Sequence, residues 1–429
     1  MSAFLTGAAV TSGPWLLTTL VLVLMRISAG VADISGASAV ITVVFAVVIV
    51  LSAPIDIVLS RFAADRVYAR RRDRIAAPLR LVLAACLPAF TLVGALAMVL
   101  LGATLELGLP GALLAGVIGA QWLLLSAAGG LSSPGIILRA FAIGAPVSVL
   151  GAHLLSRFTT LGAVGYLYGF GAGQVATLAL LLWGTFRALP PEEDESARIL
   201  PAFREYWLLA AAALAFHAGI WVDKLVVMAL GGAQLAATYA ATAAVAWLSV
   251  IPACAYLFVK VETGFSRRFR SFYAALHTGA SLPDLERMAR ELGAEVGRVL
   301  RGTGAVQACV TLGSLLAAPL VVEALGLSAG DPTTLRWLLL GAALQVLGLS
   351  ATLLLYYFDF RFESFLAAVV QLGANGLLTL LLGAPSRSLG AGYSIACALS
   401  ATLAIGLLHR RMTALLLRTF QSQPYASET

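Results

Sequence analysis

Long apolar runs dominate this sequence, and they constrain its fold more than any single motif does. A helix that crosses the hydrocarbon core of a bilayer needs roughly 20 mostly apolar residues, and twelve segments of this 429-residue chain meet that requirement. Apolar residues make up 60% of the chain and charged residues only 11%, and the mean hydropathy is +0.94. These values exclude a water-soluble enzyme and a disordered chain, because neither could keep so much apolar surface in water.

The twelve predicted spans fall into two groups of six. We therefore predict an all-α polytopic membrane protein with twelve transmembrane helices in two six-helix lobes around a central cavity. The first span is not a cleaved signal peptide, because it lacks a basic start and its apolar run is too long. The predicted spans cover residues 3–27, 36–60, 79–104, 109–130, 135–157, 161–187, 205–230, 233–261, 302–328, 333–358, 362–384 and 389–417.

Basic residues indicate how the spans are oriented. Most of the 28 lysines and arginines lie in the loops that follow even-numbered spans, or near residue 429. Loops that are rich in these residues stay in the cytoplasm. We therefore expect a multi-pass protein of the bacterial inner (cytoplasmic) membrane with both termini in the cytoplasm.

An acidic, proline-led segment at residues 190–196 divides the chain. Since each half holds six spans, both halves start on the same side of the membrane, as in transporters built from parallel repeats. We predict an N-lobe at 1–189, a cytoplasmic linker at 190–203, and a C-lobe at 204–429 that includes a cytoplasmic amphipathic loop at 263–301.

Several chemistries are disfavoured by residues that are scarce or scattered. The two lysines, Lys224 and Lys260, do not precede Ser or Thr, so there is no phosphate-binding loop of the ATPase type. Cysteines and histidines lack metal-ligand spacing. The sequence contains no Asp-x-Asp motif and no sizeable soluble domain. We predict no enzyme activity, no metal, no cofactor and no nucleic-acid partner.

Ionisable side chains within the seventh span form the main candidate site. A charge inside a bilayer is costly unless it faces protein or water, so each is a functional hypothesis. His217, Trp221 and Lys224 share one helix face, and Asp223 borders it. Such a face suits a sugar, because an aromatic ring stacks on it and polar groups bind its hydroxyls. The alternatives are an Asp–Lys pair that only joins two helices, or a lysine that reaches towards the interface.

The first span and the eighth span supply further candidates. Trp15 and Arg26 complete the predicted substrate cavity, and the alternative for Arg26 is a position facing the lipid headgroups. Prolines bend spanning helices, and we assign hinge roles to Pro14 and Pro252.

The inner end of the eighth span carries Tyr256, Lys260 and Glu262. These residues are predicted to form either a salt-bridged cytoplasmic gate or an interfacial anchor. In the loop that follows, Leu285, Met288, Leu292 and Val296 share one face. This pattern predicts an amphipathic helix on the inner membrane surface, and the alternative is a docking site for a cytoplasmic partner.

Five segments distributed over nearly the whole length carry a resemblance to a known family. They are Ser12–Leu17, Ser60–Tyr68, Gly219–Lys224, Ile251–Thr263 and Tyr356–Arg361. In this order they are similar to the PelG family, the inner-membrane transporters of the Pel exopolysaccharide. The resemblance implies a multidrug/oligosaccharidyl-lipid/polysaccharide flippase fold and export of a polymer rich in galactosamine and N-acetylgalactosamine. It also implies a cytoplasmic glycosyltransferase partner and membrane subunits that include a cyclic-di-GMP receptor.

Other functions compete with polymer export. One is an alternating-access flippase for lipid-linked oligosaccharide, or a small-molecule exporter of the same superfamily. A cation exporter would favour buried carboxylates, whereas the mixed cluster on the seventh span favours a neutral polar substrate. A polytopic enzyme and a scaffold that only holds a synthase at the membrane are the remaining alternatives. The scaffold alternative predicts damage from substitutions in 263–301 and none from substitutions in the cavity.

Overall fold

A computed structural model describes residues 34–130, 134–190, 199–324, 332–383 and 389–421. These ranges contain helices and turns and no strand. The first predicted span, with Pro14, Trp15 and Arg26, lies outside the described residues, as does most of the predicted linker. In chain order the helices are α1 Ser35–Tyr68, α2 Ala76–Leu101, α3 Leu105–Gly130, α4 Pro134–Phe158, α5 Gly162–Ala188, α6 Leu200–Glu205, α7 Trp207–Leu248, α8 Ile251–Lys260, α9 Ser266–His277, α10 Leu282–Ala324, α11 Pro332–Tyr357, α12 Arg361–Leu382, α13 Ala391–Thr413 and α14 Leu415–Gln421.

The described helices match the predicted spans. Ten helices are long and apolar enough to cross a membrane, and the number is eleven if the bent pair Thr238–Leu248 and Ile251–His277 counts as one span. The predicted first span would be the twelfth. Helices α1 to α5 pack around shared apolar clusters, and α7 to α13 around others. The two sets meet where α1 packs on α7.

The segment after the eighth span differs from its prediction. We expected a separate helix on the membrane surface, but α10 runs unbroken for 43 residues from this segment through the ninth span. The face that carries Leu292 and Val296 is buried against Phe265 and Phe272. The prediction of a lipid-facing helix was therefore wrong, because the protein's own α9 covers that face.

Small residues hold α4 and α5 unusually close together. Gly165, Gly169 and Gly173 are spaced by four on α5 and face Leu155, Ala152 and Ser148 of α4, respectively. A methyl group on Gly169 would lie 2.1 Å from the backbone nitrogen of Ala152. Close backbone approach through small residues is a principal source of helix association in lipid, where apolar side chains gain little from burial.

This packing makes a testable prediction about stability. We expect Gly169→Ala to lower the free energy of unfolding by about 1–3 kcal/mol, because the added methyl group forces the two helices apart. Gly171→Ala is the matched control on the same helix, since nothing lies within 4 Å of the position its methyl group would take. Thermal unfolding in detergent measures both variants, and equal melting temperatures would contradict the packing account.

Candidate functional site

The centre of the candidate site is a buried ion pair on α7. Lys224 Nζ lies 3.0 Å from both carboxylate oxygens of Asp223 and donates to the carbonyl oxygen of Ile220 at 2.9 Å. Asp223 is 0% exposed and Lys224 is 8% exposed. Lys224 does not extend towards the membrane interface. Its ammonium group instead bonds Asp223 and a carbonyl oxygen of the same helix.

Three aromatic rings surround the Lys224 ammonium group. Its Nζ lies 5.7 Å from the ring centroid of Trp221, 5.9 Å from that of Tyr239 and 5.1 Å from that of Tyr393. The Tyr239 hydroxyl also donates to Asp223 Oδ2 at 2.9 Å. Ring faces attract cations, most strongly where water is excluded. The cage and the carboxylate together stabilise a lysine charge at membrane depth.

A glycine brings Tyr239 to the ion pair. In a straight helix two residues 16 positions apart are about 24 Å apart along the axis, yet the Tyr239 hydroxyl contacts Asp223. The chain reverses at Gly232, whose φ of 76° and ψ of 179° are not helical and divide α7 into two parts. Positive φ is the conformation that glycine adopts at little cost. The turn between the seventh and eighth spans thereby completes the cage.

A layer of uncharged polar side chains lies beside the cage in the C-lobe interior. Gln371 donates to Gln345 at 2.9 Å, and Asn375 donates to the carbonyl oxygen of Gly219, on α7, at 2.7 Å. Thr379 donates to Asn375 at 3.0 Å. All four side chains are buried. These bonds tie α12 to α7 and α11, which fixes the helix that carries the ion pair.

A narrow recess opens between the lobes in front of the ion pair. Its N-lobe wall includes Thr42 and Val43 of α1, and its C-lobe wall includes Trp221, Lys224 and Met228. The free volume is about 30 Å³, which is enough for one or two waters and too little for a sugar ring. Trp221 also packs against the N-lobe core cluster. Trp221 and Lys224 therefore lie where the two lobes meet.

His217 is not part of this arrangement. Its Nδ1 lies 2.9 Å from the carbonyl oxygen of Ala213, one turn earlier, and its ring packs edge-on against Phe216. The sequence spacing correctly placed His217 two turns from Lys224. The side chain nevertheless bonds its own helix and does not line the recess. A role for His217 in the substrate cavity stays a prediction.

The candidate gate residues take another arrangement. Lys260 Nζ lies 5.5 Å from the centroid of the Tyr256 ring. Glu262 is exposed, and within the described ranges no ion pair joins it to Lys260. Tyr256 packs against α10 at Gly302, inside the C-lobe. The predicted salt bridge is therefore not formed here, and an anchoring role stays a prediction.

Pro252 lies at the bend between the two parts of the eighth span. It occupies the first turn of α8, and the segments on either side meet at 45°. A proline in the first helical turn costs no hydrogen bond. The bend expected beside Pro252 is present, and movement at that bend stays a prediction.

A set of bonds joins the two lobes on the side of the molecule where α1 ends and α12 begins, which we call the arginine-rich end. The sequence analysis did not predict these bonds. Arg61 donates to the carbonyl oxygen of Tyr356 at 2.7 Å, and the Tyr206 hydroxyl donates to Asp65 at 2.8 Å. The Arg361 guanidinium lies 4.9 Å from the centroid of the Tyr206 ring. We call these five residues the arginine latch.

Two features keep the arginine latch bonded. Burial and the Asp65 carboxylate raise the pKa of Tyr206 far above its usual range, so the phenol stays protonated and keeps donating. Arg361 also donates to the carbonyl oxygen of Glu205 at 2.8 Å, which fixes the chain just before α7. The arginine latch therefore joins the two lobes at this end.

The architecture is shared with solved transporters. A MATE protein in complex with MaD3S superposes with a TM-score of 0.71 at 16% identity, over 97% of this chain and 96% of that chain. An outward-facing multidrug resistance MATE family transporter of the MOP superfamily gives 0.69 at 18%, over 96% and 95%. An inward-facing one gives 0.67 at 16%, over 93% and 95%. The fold is thus that of the MATE-type transporters, which have twelve helices in two lobes.

The family follows from the sequence match. The PelG family model, described as "Putative exopolysaccharide Exporter (EPS-E)", matches residues 1–420. The chain belongs to this family. No curated protein matches it significantly. The predicted fold class and the family resemblance are confirmed, and both family and fold are those of transporters, not of enzymes.

Proposed function

We propose that this protein exports a Pel-like polymer, rich in galactosamine and N-acetylgalactosamine, through the space between its lobes. Membership of an exopolysaccharide exporter family supports the substrate class. The observation that carries the route is the placement of Trp221 and Lys224 on the wall of the inter-lobe recess. An aromatic ring beside a neutralised charge suits a sugar that carries hydroxyl and acetamide groups.

Transport through this recess requires the lobes to separate. The recess holds only one or two waters, and the arginine latch closes one end of the interface. A polymer can enter from that end once these bonds break and α1 moves away from α7. We propose that this end faces the cytoplasm of a bacterial inner-membrane protein, in agreement with the basic loops.

We propose that a cytoplasmic glycosyltransferase supplies the polymer, and that membrane subunits including a cyclic-di-GMP receptor complete the complex. Coupling to synthesis fits a chain without an ATP-binding loop.

The second candidate is a flippase for lipid-linked oligosaccharide or a small-molecule exporter, which the likeness to multidrug transporters favours. A cationic drug needs a carboxylate in its cavity. The described lining of the recess contains no carboxylate, and its one charged side chain is Lys224. This observation disfavours a cationic cargo.

Replacing Trp221 tests the proposed route. We expect Trp221→Ala to reduce secreted polymer about tenfold, the equivalent of a lost stacking contact of about 1.4 kcal/mol. Trp183→Ala is the matched control, because Trp183 is 60% exposed on the outside of α5. Hexosamine content of the secreted polymer is measured against the amount of protein in the membrane. Normal secretion by Trp221→Ala, or an equal loss in both variants, would contradict the proposal.

A further inference from the structure

A second pocket lies outside the lobe interface, where the chain leaves the eighth span. It has a free volume of about 260 Å³ and a mostly polar lining. One wall is the single π-helical turn Val261–Phe265 with the start of α9, and the other wall is the first part of α10. Short π-helical segments occur frequently at functional sites. The lining residues are Thr263, Gly264, Arg267, Arg268, Ser271, Met288 and Glu291.

A buried carboxylate fixes one wall of this pocket. Glu295 is 6% exposed and accepts from Arg268 at 2.8 Å, and Arg298 pairs with it from the other side. Gly264 makes room for the carboxylate, because a methyl group there would lie 2.6 Å from Glu295 Oε1. The Arg268 guanidinium is therefore held in place before any ligand arrives, which lowers the entropic cost of binding.

The balance of charges leaves one positive charge at the pocket. Arg267, Arg268 and Arg298 oppose Glu291 and Glu295. Arg267 is exposed, and no ion pair involves it in the part of the chain that the structure describes. Ser271 is exposed beside it and offers a hydroxyl. A guanidinium pair with a hydroxyl is a good donor set for phosphate oxygens.

The pocket borders the headgroup layer of a membrane. Lys260, which lies over the ring of Tyr256, marks the end of the apolar part of the eighth span. Thr263 and Arg267 follow at about 4.5 Å and about 10 Å along the axis. Headgroups occupy roughly the first 5–7 Å beyond the hydrocarbon core on each side. The pocket therefore lies at the aqueous edge of the headgroups, where the long side chain of Arg267 can reach back to lipid phosphates.

We propose that this pocket binds the phosphodiester headgroup of an anionic lipid, with Arg267 and Arg268 on the phosphate and Ser271 donating to it. A phosphodiester carries one negative charge, which matches the single net positive charge of the site. A free phosphate carries more charge and has no acyl chains to hold it at this depth. Basic pockets beside spanning helices bind anionic lipid headgroups in this way.

Native mass spectrometry of the full-length, delipidated protein tests the proposal. The probes are phosphatidylglycerol, diacylglycerol with the same acyl chains, and glycerol 3-phosphate. We expect Arg267→Gln to weaken phosphatidylglycerol binding about tenfold. Arg287→Gln is the matched control, because Arg287 is exposed on α10, pairs with Asp284 and does not line the pocket. Ser271→Ala should give a smaller loss than Arg267→Gln.

Each other result would overturn the assignment. Unchanged binding by Arg267→Gln, or an equal loss in Arg287→Gln, would show that the pocket does not hold the lipid. If diacylglycerol binds as tightly as phosphatidylglycerol, the phosphate does not contribute to binding and the proposal is wrong. Equally tight binding of glycerol 3-phosphate would assign the pocket to a soluble phosphate. Arg267 is exposed, so its replacement leaves the fold intact, and the melting temperature without lipid verifies this.

Discussion

Replacing Lys224 by methionine is expected to lower the free energy of unfolding by about 3–5 kcal/mol, because it leaves the fully buried Asp223 carboxylate without its counter-charge. Removing both charges, in Asp223→Asn with Lys224→Met, should restore most of that stability, since a neutral pair has no such penalty. Export of the polymer should be lost in Lys224→Met, and it should remain lost in the double variant although stability recovers. Thermal unfolding and secreted polymer are measured together.

The chain offers a close control for this experiment. Lys260, the other lysine, lies over the Tyr256 ring near the end of its span, and Lys260→Met should change stability little. A double variant that regains both stability and export would show that the pair only holds the C-lobe together. Asp223→Asn alone should also lower stability, because that change leaves the buried Lys224 charge without its counter-charge.

Breaking the arginine latch is expected to open the arginine-rich end. Arg61→Gln removes a charged hydrogen bond to the carbonyl oxygen of Tyr356, worth about 1.5–3 kcal/mol. The ratio of open to closed protein should therefore rise by about tenfold or more. Hydrogen exchange should become faster at the end of α1 and in residues 354–361. Tyr206→Phe, which removes the bond to Asp65, should act in the same direction.

Arg70→Gln is the control for the latch, because Arg70 is an exposed arginine just beyond α1. Exchange that stays slow in Arg61→Gln and Tyr206→Phe would refute a closing role for these bonds. Faster exchange in Arg70→Gln to the same extent would show that any lost charge loosens this end.

The spans and their pairing into lobes could be predicted from sequence because membrane crossing depends on local apolarity. Each run of about 20 residues must satisfy its backbone within its own helix. The same logic located Asp223 and Lys224, since a charge at membrane depth stands out within an apolar run. Contacts between distant segments have no such local signal. Tyr239 reaches Asp223 only because the chain reverses at Gly232.

The bonds of the arginine latch could not be predicted from the sequence for the same reason. Arg61 and Tyr356 are 295 positions apart, and neither residue is unusual where it stands, near the end of a span. The amphipathic part of α10 was misread for a related reason. A stripe that includes Leu292 and Val296 shows that one face is buried, but only the tertiary structure shows that Phe265 and Phe272, not lipid, cover it.

The unbroken length of α10 has a mechanical consequence. Its 43 residues extend over about 65 Å, roughly twice the 30 Å thickness of the hydrocarbon core. About half of this rod must project into water, where α9 braces it through Phe272 and Leu292. A tilt of about 10° within the bilayer would swing the projecting tip by on the order of 5 Å. Helix α10 can therefore act as a lever, which transmits a rearrangement inside the membrane to a partner that contacts its projecting tip.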